Sequence, residues 1–313
     1  MKATACAHPV QGLIKNFGLA DDRQCIPFYD SISVCCAPLH SITTVQFQSE
    51  QEILVNGNPP DARTLKRIDA VISEIKRLSG IQGEVKVISR DNFPVDHAHD
   101  ASAMIAALTL AAAEAADIDL SPKELSRIAR KGTGAAPSSV AGYFSRWKAY
   151  IEERSCYASV LEDNMDMGMV AAFITPLAGK TDCNGMLTSH LLEFRLKTVH
   201  ASLYKMEQAI RSQNIPQIGF LAEKESIMVH ALSTGVVEDM IPWNPDAQRV
   251  MAEVQALRED GIEVYLNMDT GPVYINCFPE DCPLIEGRMR KLKIPVARLQ
   301  VGKGAHRIRG HLF

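Results

Sequence analysis

Residues 85–116 constrain this chain more than any other stretch. Val85-Lys86-Val87-Ile88 alternates apolar and charged side chains, the period of a half-buried strand. Met104 to Ala116 is mostly Ala, Leu and Ile, without glycine or proline, and is apolar on nearly every face. That composition predicts a helix buried on all sides, around which the neighbouring elements must pack. Between strand and helix lies Asp91-Asn92-Phe93-Pro94-Val95-Asp96-His97-Ala98-His99-Asp100-Ala101-Ser102-Ala103. A strand, a loop and a buried helix hold phosphate in many enzymes, because free backbone N–H groups and the helix dipole point at the anion. Loops of that kind carry glycines that let the backbone approach the ligand. This one has no glycine and a single serine.

A chain of 313 residues, 46% hydrophobic and 22% charged, can bury one large core or two. The net charge is −4, and no Lys/Arg stripe with interleaved aromatics appears, which sets nucleic-acid binding aside. No run approaches the ~20 apolar residues of a membrane span, and no signal peptide is visible. Cys6, Cys25, Cys35, Cys36, Cys156, Cys183, Cys277 and Cys282 are scattered, with no Cys-x-x-Cys pair. That usage predicts reduced thiols and a cytoplasmic protein.

Read in order, the chain predicts mixed α+β structure. Val10 to Ile14 is a short apolar run ending on Lys15, which is either a solvated strand-end lysine or a cation aimed into a site. Asp30, Ser31 and Ser33 fall where a loop enters a strand. Strands are expected over 43–48 and 52–55, the second before an Asn56-Gly57 turn. Asp61 can cap a helix running to Leu78 and stopped by Gly80. Ser121-Pro122-Lys123-Glu124 has the form of a capping box with proline at the first helical position. Residues 132–139 form a second small-residue loop before a helix, and strands are expected over 147–151 and 170–174. Pro176-Leu177-Ala178-Gly179 marks a boundary, which divides the chain into domains 1–179 and 180–313. Beyond it Leu192, Leu196, Val199, Leu203, Met206 and Ile210 form one face of a long amphipathic helix. Further helices are expected over 217–231, 245–259 and 284–292, and strands over 263–268, 273–277 and 296–301. The expected architecture is two α+β domains, each a mainly antiparallel sheet backed by helices.

Five motifs occur in an order that resembles the mevalonate-pathway decarboxylases. They are Lys15 in Leu13-Ile14-Lys15-Asn16-Phe17-Gly18, Asp30-Ser31-Ile32-Ser33-Val34, Asn92-Phe93-Pro94, Ser126-Arg127-Ile128-Ala129-Arg130-Lys131-Gly132 and Asp269-Thr270-Gly271-Pro272. Met1 to Ala5, His8 to Leu13 and Leu257 to Gly261 are similar to the archaeal phosphomevalonate type. The resemblance covers essentially the whole chain. It implies the fold of the galactokinase, homoserine, mevalonate and phosphomevalonate kinase (GHMP) superfamily. That fold has an N-terminal domain like ribosomal protein S5 domain 2, a ferredoxin-like C-terminal domain and a cleft between them. It also implies ATP and Mg2+ as co-reactants, a small phosphorylated substrate, and a homodimer. In the implied chemistry the tertiary hydroxyl of mevalonate is phosphorylated, and phosphate then leaves as the carboxylate departs. Asp269 matches the catalytic aspartate and Lys15 the substrate-facing lysine, with Ser102, Thr133, Ser138 and Ser139 as substrate-binding candidates.

The departures from that pattern are specific. Ala98 and Ile105 stand where the family has glycine, Ala101 and Ala135 where it has serine, Leu19 where it has a second lysine, and Ser138 where it has the carboxylate-binding arginine. Arg130, Lys131 and Lys303 are the cations that could stand in. Asp96 and Asp100 add negative charge where ATP phosphates would sit. Asp96-His97-Ala98-His99-Asp100 could ligate a divalent metal, or be a polar surface loop with Asp100 as a helix cap. The second is the expectation, and no metal ligand is assigned. Three functions remain open: a decarboxylase of phosphorylated mevalonate, an ATP-independent decarboxylase of 3-phosphorylated mevalonate, and a catalytically retired paralogue that binds or regulates a partner.

Overall fold

The structure is a computed structural model that describes residues 1–94, 101–150, 152–174, 188–234, 244–268 and 271–313. Its first layer is a five-stranded sheet. The strands are β1 (Lys2–Ala7), β6 (Ser41–Gln48), β7 (Glu52–Val55), β8 (Glu84–Asp91) and the short β15 (His306–Arg307), in the order β15-β1-β6-β8-β7. β7 runs parallel to β8, so the chain between them must cross over, and α1 (Ala62–Ser79) makes the crossing. The helix starts where Asp61 accepts a hydrogen bond from the Thr64 N–H at 2.7 Å. It stops at Gly80, whose φ of 72° only glycine adopts without strain. Its buried face carries Ile68, Val71, Ile72 and Ile75.

The helix α2 (Ser102–Ala115) is the hub of this layer, buried along almost its whole length and packed on β1, β6, α1, α3 (Pro122–Ala129) and α4 (Ala136–Ala141). Small alanines on every side let these five elements approach it at once. The capping box at Ser121 and Glu124 forms as the sequence implies.

β3 (Leu19–Asp21) and β4 (Ile26–Pro27) pair as a separate two-stranded ribbon. The second main sheet is larger than the first. It contains β2 (Val10–Ile14), β5 (Ser31–Ala37), β9 (Phe144–Trp147), β10 (Ala158–Glu162), β11 (Gly168–Ala172), β12 (Val264–Met268), β13 (Val273–Cys277) and β14 (Val296–Val301). The order is β10-β9-β5-β14-β11-β13-β12, with β2 also paired to β5. Here the structure differs from the expectation of one sheet per half. β9 covers β5 only along Ser31–Val34, and β14 takes up the rest of that edge at Cys36 and Ala37. Strands from the two ends of the sequence therefore share one sheet. One face packs α5 (Leu192–Arg211) and α6 (Ile215–Thr234), through Leu203, Met206 and Ile218, over Ile32, Val34, Met167 and Met169. The other packs α7 (Pro245–Glu259) and α8 (Cys282–Lys291), through Val250, Val254 and Ile285, over Val170, Val264 and Ile275. α6 lies close on β12 because residue 219 is glycine: a Cβ there would stand 2.3 Å from the Tyr265 ring.

Two further expectations shift. Residues 136–141 are already helical, because Pro137 sits within the first turn, where its missing N–H costs nothing. The strand expected over 147–151 instead ends at Trp147, and the Lys148 N–H bonds the Tyr157 carbonyl. Residues 176–179, His97, His99, Asp100, Cys183 and Asp269 lie outside the described residues. Among the described residues no helix is long and apolar enough to cross a membrane.

Candidate active site

A one-residue bulge in β2 sets the direction of Lys15. Gly12 pairs with Ser33 and Ile14 with Ile32, so Leu13 is an extra residue. Leu13 and Ile14 then both enter the core under α5 and α6. With strict alternation Lys15 would follow Leu13 into that core. The bulge returns it to the face of Gly12, where a Cβ would touch the lysine stem at 3.1 Å. That face is floored by small residues: Gly12 on β2, Ser31 and Ser33 on β5, and Ser145 on β9 opposite Ser33.

Lys15 is not a solvated strand-end lysine; it is 5% exposed. Its Nζ donates to Asn267 Oδ1 at 2.7 Å. Asn267 lies on β12, its Nδ2 donating to the Gly12 carbonyl at 2.9 Å and its Oδ1 also accepting from Ser226 Oγ at 2.7 Å. Ser226 Oγ in turn accepts from the Met268 N–H at 2.8 Å. The neighbouring residue on α6, Glu225, accepts from the Lys15 backbone N–H at 2.8 Å. Arg195 on α5 holds Glu225 bidentately at 2.6 and 2.5 Å and donates to the Lys15 carbonyl at 2.8 Å. Its guanidinium lies over Tyr29, and its Nε donates to the phenol oxygen at 3.3 Å. Burial pushes the Tyr29 phenol above its ordinary value, the Arg195 charge opposing it. Arg195, Glu225, Ser226 and Asn267 are functional candidates that the sequence pattern did not single out. Asp269 follows two residues after Asn267 in the sequence.

The other candidates fall on a different stretch of the same region. Ser102 is the first residue of α2 and fully buried; the helix start at Ala101 has no side-chain cap. Thr133 lies half-buried in the turn between α3 and α4. Ser138 and Ser139 are buried on α4. The Ser139 hydroxyl donates to the His8 carbonyl at 2.6 Å, tying α4 to the β1–β2 turn, and the Ser138 carbonyl accepts from the Gly142 N–H. Of the cations that could replace the missing arginine, Arg130 is fully buried against the carbonyls of Gln24, Glu153 and Cys156. Lys131 pairs with Glu74 at 3.1 Å. Hydrogen bonding to Arg77, with Lys131 adding to it, holds the Glu74 carboxyl down at about 2. Lys303 is exposed and sits in a backbone bridge with Gly142. Among the described residues no group of three or more His, Cys, Asp or Glu could hold a metal ion.

The space beside the first turns of α2 is filled by a side chain. Ile105, standing where the family has a loop glycine, is fully buried, and a Cβ on Gly132 would meet its Cγ2 at 2.7 Å. The isoleucine thus fills the space between the first turns of α2 and the second small-residue loop. Gly132→Ala is expected to cost about 1–3 kcal/mol by overpacking. Ile105→Ala in the same chain should relieve most of that increment. Chemical denaturation of the two single variants and the double variant measures the coupling. Equal, additive losses would mean that the contact is slack.

The chain is similar to known proteins in sequence and in fold. The diphosphomevalonate decarboxylase-like N-terminal domain family matches residues 7–158. The phosphomevalonate decarboxylase of Haloferax volcanii is 34% identical over 91% of this chain and 91% of its own length. Mevalonate diphosphate decarboxylase from Staphylococcus aureus superposes with a TM-score of 0.90 at 26% identity, covering 98% of both chains. Mevalonate-3-kinase from Thermoplasma acidophilum, at 17% identity and a TM-score of 0.82, shares the fold. By fold and by sequence over nine-tenths of its length, the chain belongs to the mevalonate-pathway decarboxylases of the GHMP superfamily.

Proposed function

We propose that this chain decarboxylates a phosphorylated mevalonate in isoprenoid biosynthesis, releasing carbon dioxide and an isopentenyl phosphate or diphosphate. The observation that carries the reading is the buried anchoring of Lys15 by Asn267, in a chain 34% identical to a phosphomevalonate decarboxylase. Lys15 presents an ammonium toward the substrate's anionic groups. In the elimination the bond to the carboxylate carbon breaks, and its electron pair becomes the new C=C bond. The C–O bond to the 3-phosphate breaks in the same direction. The site must therefore stabilise charge leaving on phosphate, which a lysine held in a low-dielectric pocket does well. Asp269 would lie beside the reacting tertiary oxygen. Ser102, Thr133, Ser138 and Ser139 would line the substrate. The reading includes a cytoplasmic homodimer, on the strength of the family resemblance.

A second reading is favoured by Ile105. With that side chain packed on Gly132 and no glycine between Asp91 and Ala116, the phosphate-binding loop of the family lacks its usual backbone access. An enzyme that performs only the elimination, on mevalonate already phosphorylated at position 3, would need no triphosphate. ATP with Mg2+ is expected to bind with a dissociation constant poorer than millimolar by calorimetry; a low-micromolar value would sink this second reading. The deciding assay supplies phosphomevalonate, diphosphomevalonate and their 3-phosphorylated forms, with and without Mg-ATP, scoring carbon dioxide, phosphate and ADP. Release of carbon dioxide from any of them supports the decarboxylase. Turnover of none of them would leave a retired paralogue, acting as a binding or regulatory protein.

A further inference from the structure

The backbone of Lys15 is held in an unusual way. Residue 15 lies one position beyond β2 and is buried, so its N–H and C=O need partners that the sheet ladder no longer supplies. Both partners come from one ion pair. Glu225 accepts the N–H at 2.8 Å, and Arg195 donates to the carbonyl at 2.8 Å. The pair is closed on itself by two further bonds at 2.6 and 2.5 Å, and both side chains are at most 3% exposed. Stability alone does not account for such a pair. Two charges taken out of water cost roughly what their attraction returns, and well-packed apolar residues of similar volume usually do as well. What apolar residues cannot do is grip an amide and a carbonyl at once. The next residue on the same helix, Ser226, reaches Asn267, which holds the lysine head. One turn of α6 therefore bonds the backbone of Lys15 directly and its ammonium through Asn267.

We propose that Arg195 and Glu225 are a positioning pair that fixes Lys15 for the decarboxylation reaction, acting through the lysine backbone and not by touching substrate. The proposal rests on the reading of Lys15 as the substrate-facing lysine. A lysine displaced by about 1 Å from its productive position is enough to cost on the order of 100-fold in rate. Without the pair, residue 15 keeps its side chain but loses the two backbone hydrogen bonds that Glu225 and Arg195 supply.

The test is a cycle between the pair and the lysine. Arg195→Met/Glu225→Leu removes both charges together, so that no buried ion is stranded. The chain is also made as Lys15→Met and as the triple variant. The paired variant leaves the Lys15 amide and carbonyl without these partners, so it is expected to melt below wild type while staying folded at the assay temperature, and to lose at least about 30-fold in kcat with a smaller change in KM. In the Lys15→Met background the same two changes should cost less than about threefold, because the positioned group is gone. A purely structural pair gives equal losses in both backgrounds, and that result overturns the proposal. A second arm needs no turnover. Acetylation of Lys15 Nζ by an activated acetate ester, followed by peptide mass spectrometry, should run at least about fivefold faster in the paired variant, because the lysine becomes mobile. If wild type turns over no phosphorylated mevalonate, the functional reading falls, and this arm alone decides the pair. If the paired variant does not fold, Arg195→Lys takes its place. It keeps the charge but cannot bridge Glu225 and the Lys15 carbonyl together. Unchanged kcat and unchanged acetylation in a folded variant would refute the pair's role.

Discussion

Asp269→Asn is expected to lower kcat by roughly 100- to 10,000-fold while changing KM only a few-fold. The substitution is nearly isosteric, so what it removes is charge and proton affinity. A group that acts on the reacting tertiary oxygen matters most as the transition state forms, which places the loss in kcat. Asp269 begins the connection Asp269-Thr270-Gly271-Pro272 between β12, ending at Met268, and β13, starting at Val273. β12 also carries Asn267, the partner of the Lys15 ammonium. The strand that holds the lysine is thus continuous in sequence with the aspartate. The competing view is that Asp269 merely starts a turn. Asparagine supports the same turn, and folding and activity would then barely change. Steady-state kinetics on the phosphorylated mevalonate that wild type turns over separates the two. A variant with normal kcat would remove the basis for carrying the family's chemistry onto this chain.

Much of the fold could be read from local signals. Asp61, Gly80, Ser121 and Glu124 each carry a cap whose chemistry is visible within four residues, and the helices they bound came out where the sequence placed them. The mostly apolar stretch 104–116 has the composition of a buried helix, and it is the hub of the first layer. The failures share a cause: the deciding partner is far away in sequence. On α5 the apolar stripe pointed to Leu196, but Leu196 is 40% exposed and Arg195 is buried in its stead. Nothing near residue 195 announces this, because the compensating carboxylate is Glu225, thirty residues on. The bulge at Leu13 is hidden in the same way: the run Val10 to Ile14 reads as any short strand until its register with β5 is known. Lys15 and Asp269 are candidates by motif resemblance, whereas the Lys15 partners Asn267, Glu225 and Arg195 are visible only in three dimensions.

Arg130 illustrates how a residue can match a functional vacancy in type and still be committed elsewhere. By motif resemblance Ser138 stands where a carboxylate-binding arginine is expected, and Arg130 lies only eight residues before it. Its guanidinium, however, is fully buried and faces the backbone: Nε donates to the Gln24 carbonyl at 2.8 Å and Nη1 to the Cys156 carbonyl at 2.7 Å, with a longer bond to Glu153 at 3.3 Å. Nη2 adds an ion pair with the Glu153 carboxylate at 3.2 Å. Three segments far apart in sequence are stitched at one point. Arg130→Met fills similar volume but strands those carbonyls, each worth about 1–3 kcal/mol when buried without a donor. With partial relief from entering water, the expected loss of stability is about 3–5 kcal/mol, read as a lower urea midpoint. Arg130→Lys should recover only part of it, since one ammonium cannot reach carbonyls on three sides. KM should stay near wild type in whatever fraction remains folded. The opposite pattern, normal stability with KM raised about tenfold or more, would mean that Arg130 turns toward substrate and takes the place of the arginine that Ser138 replaced.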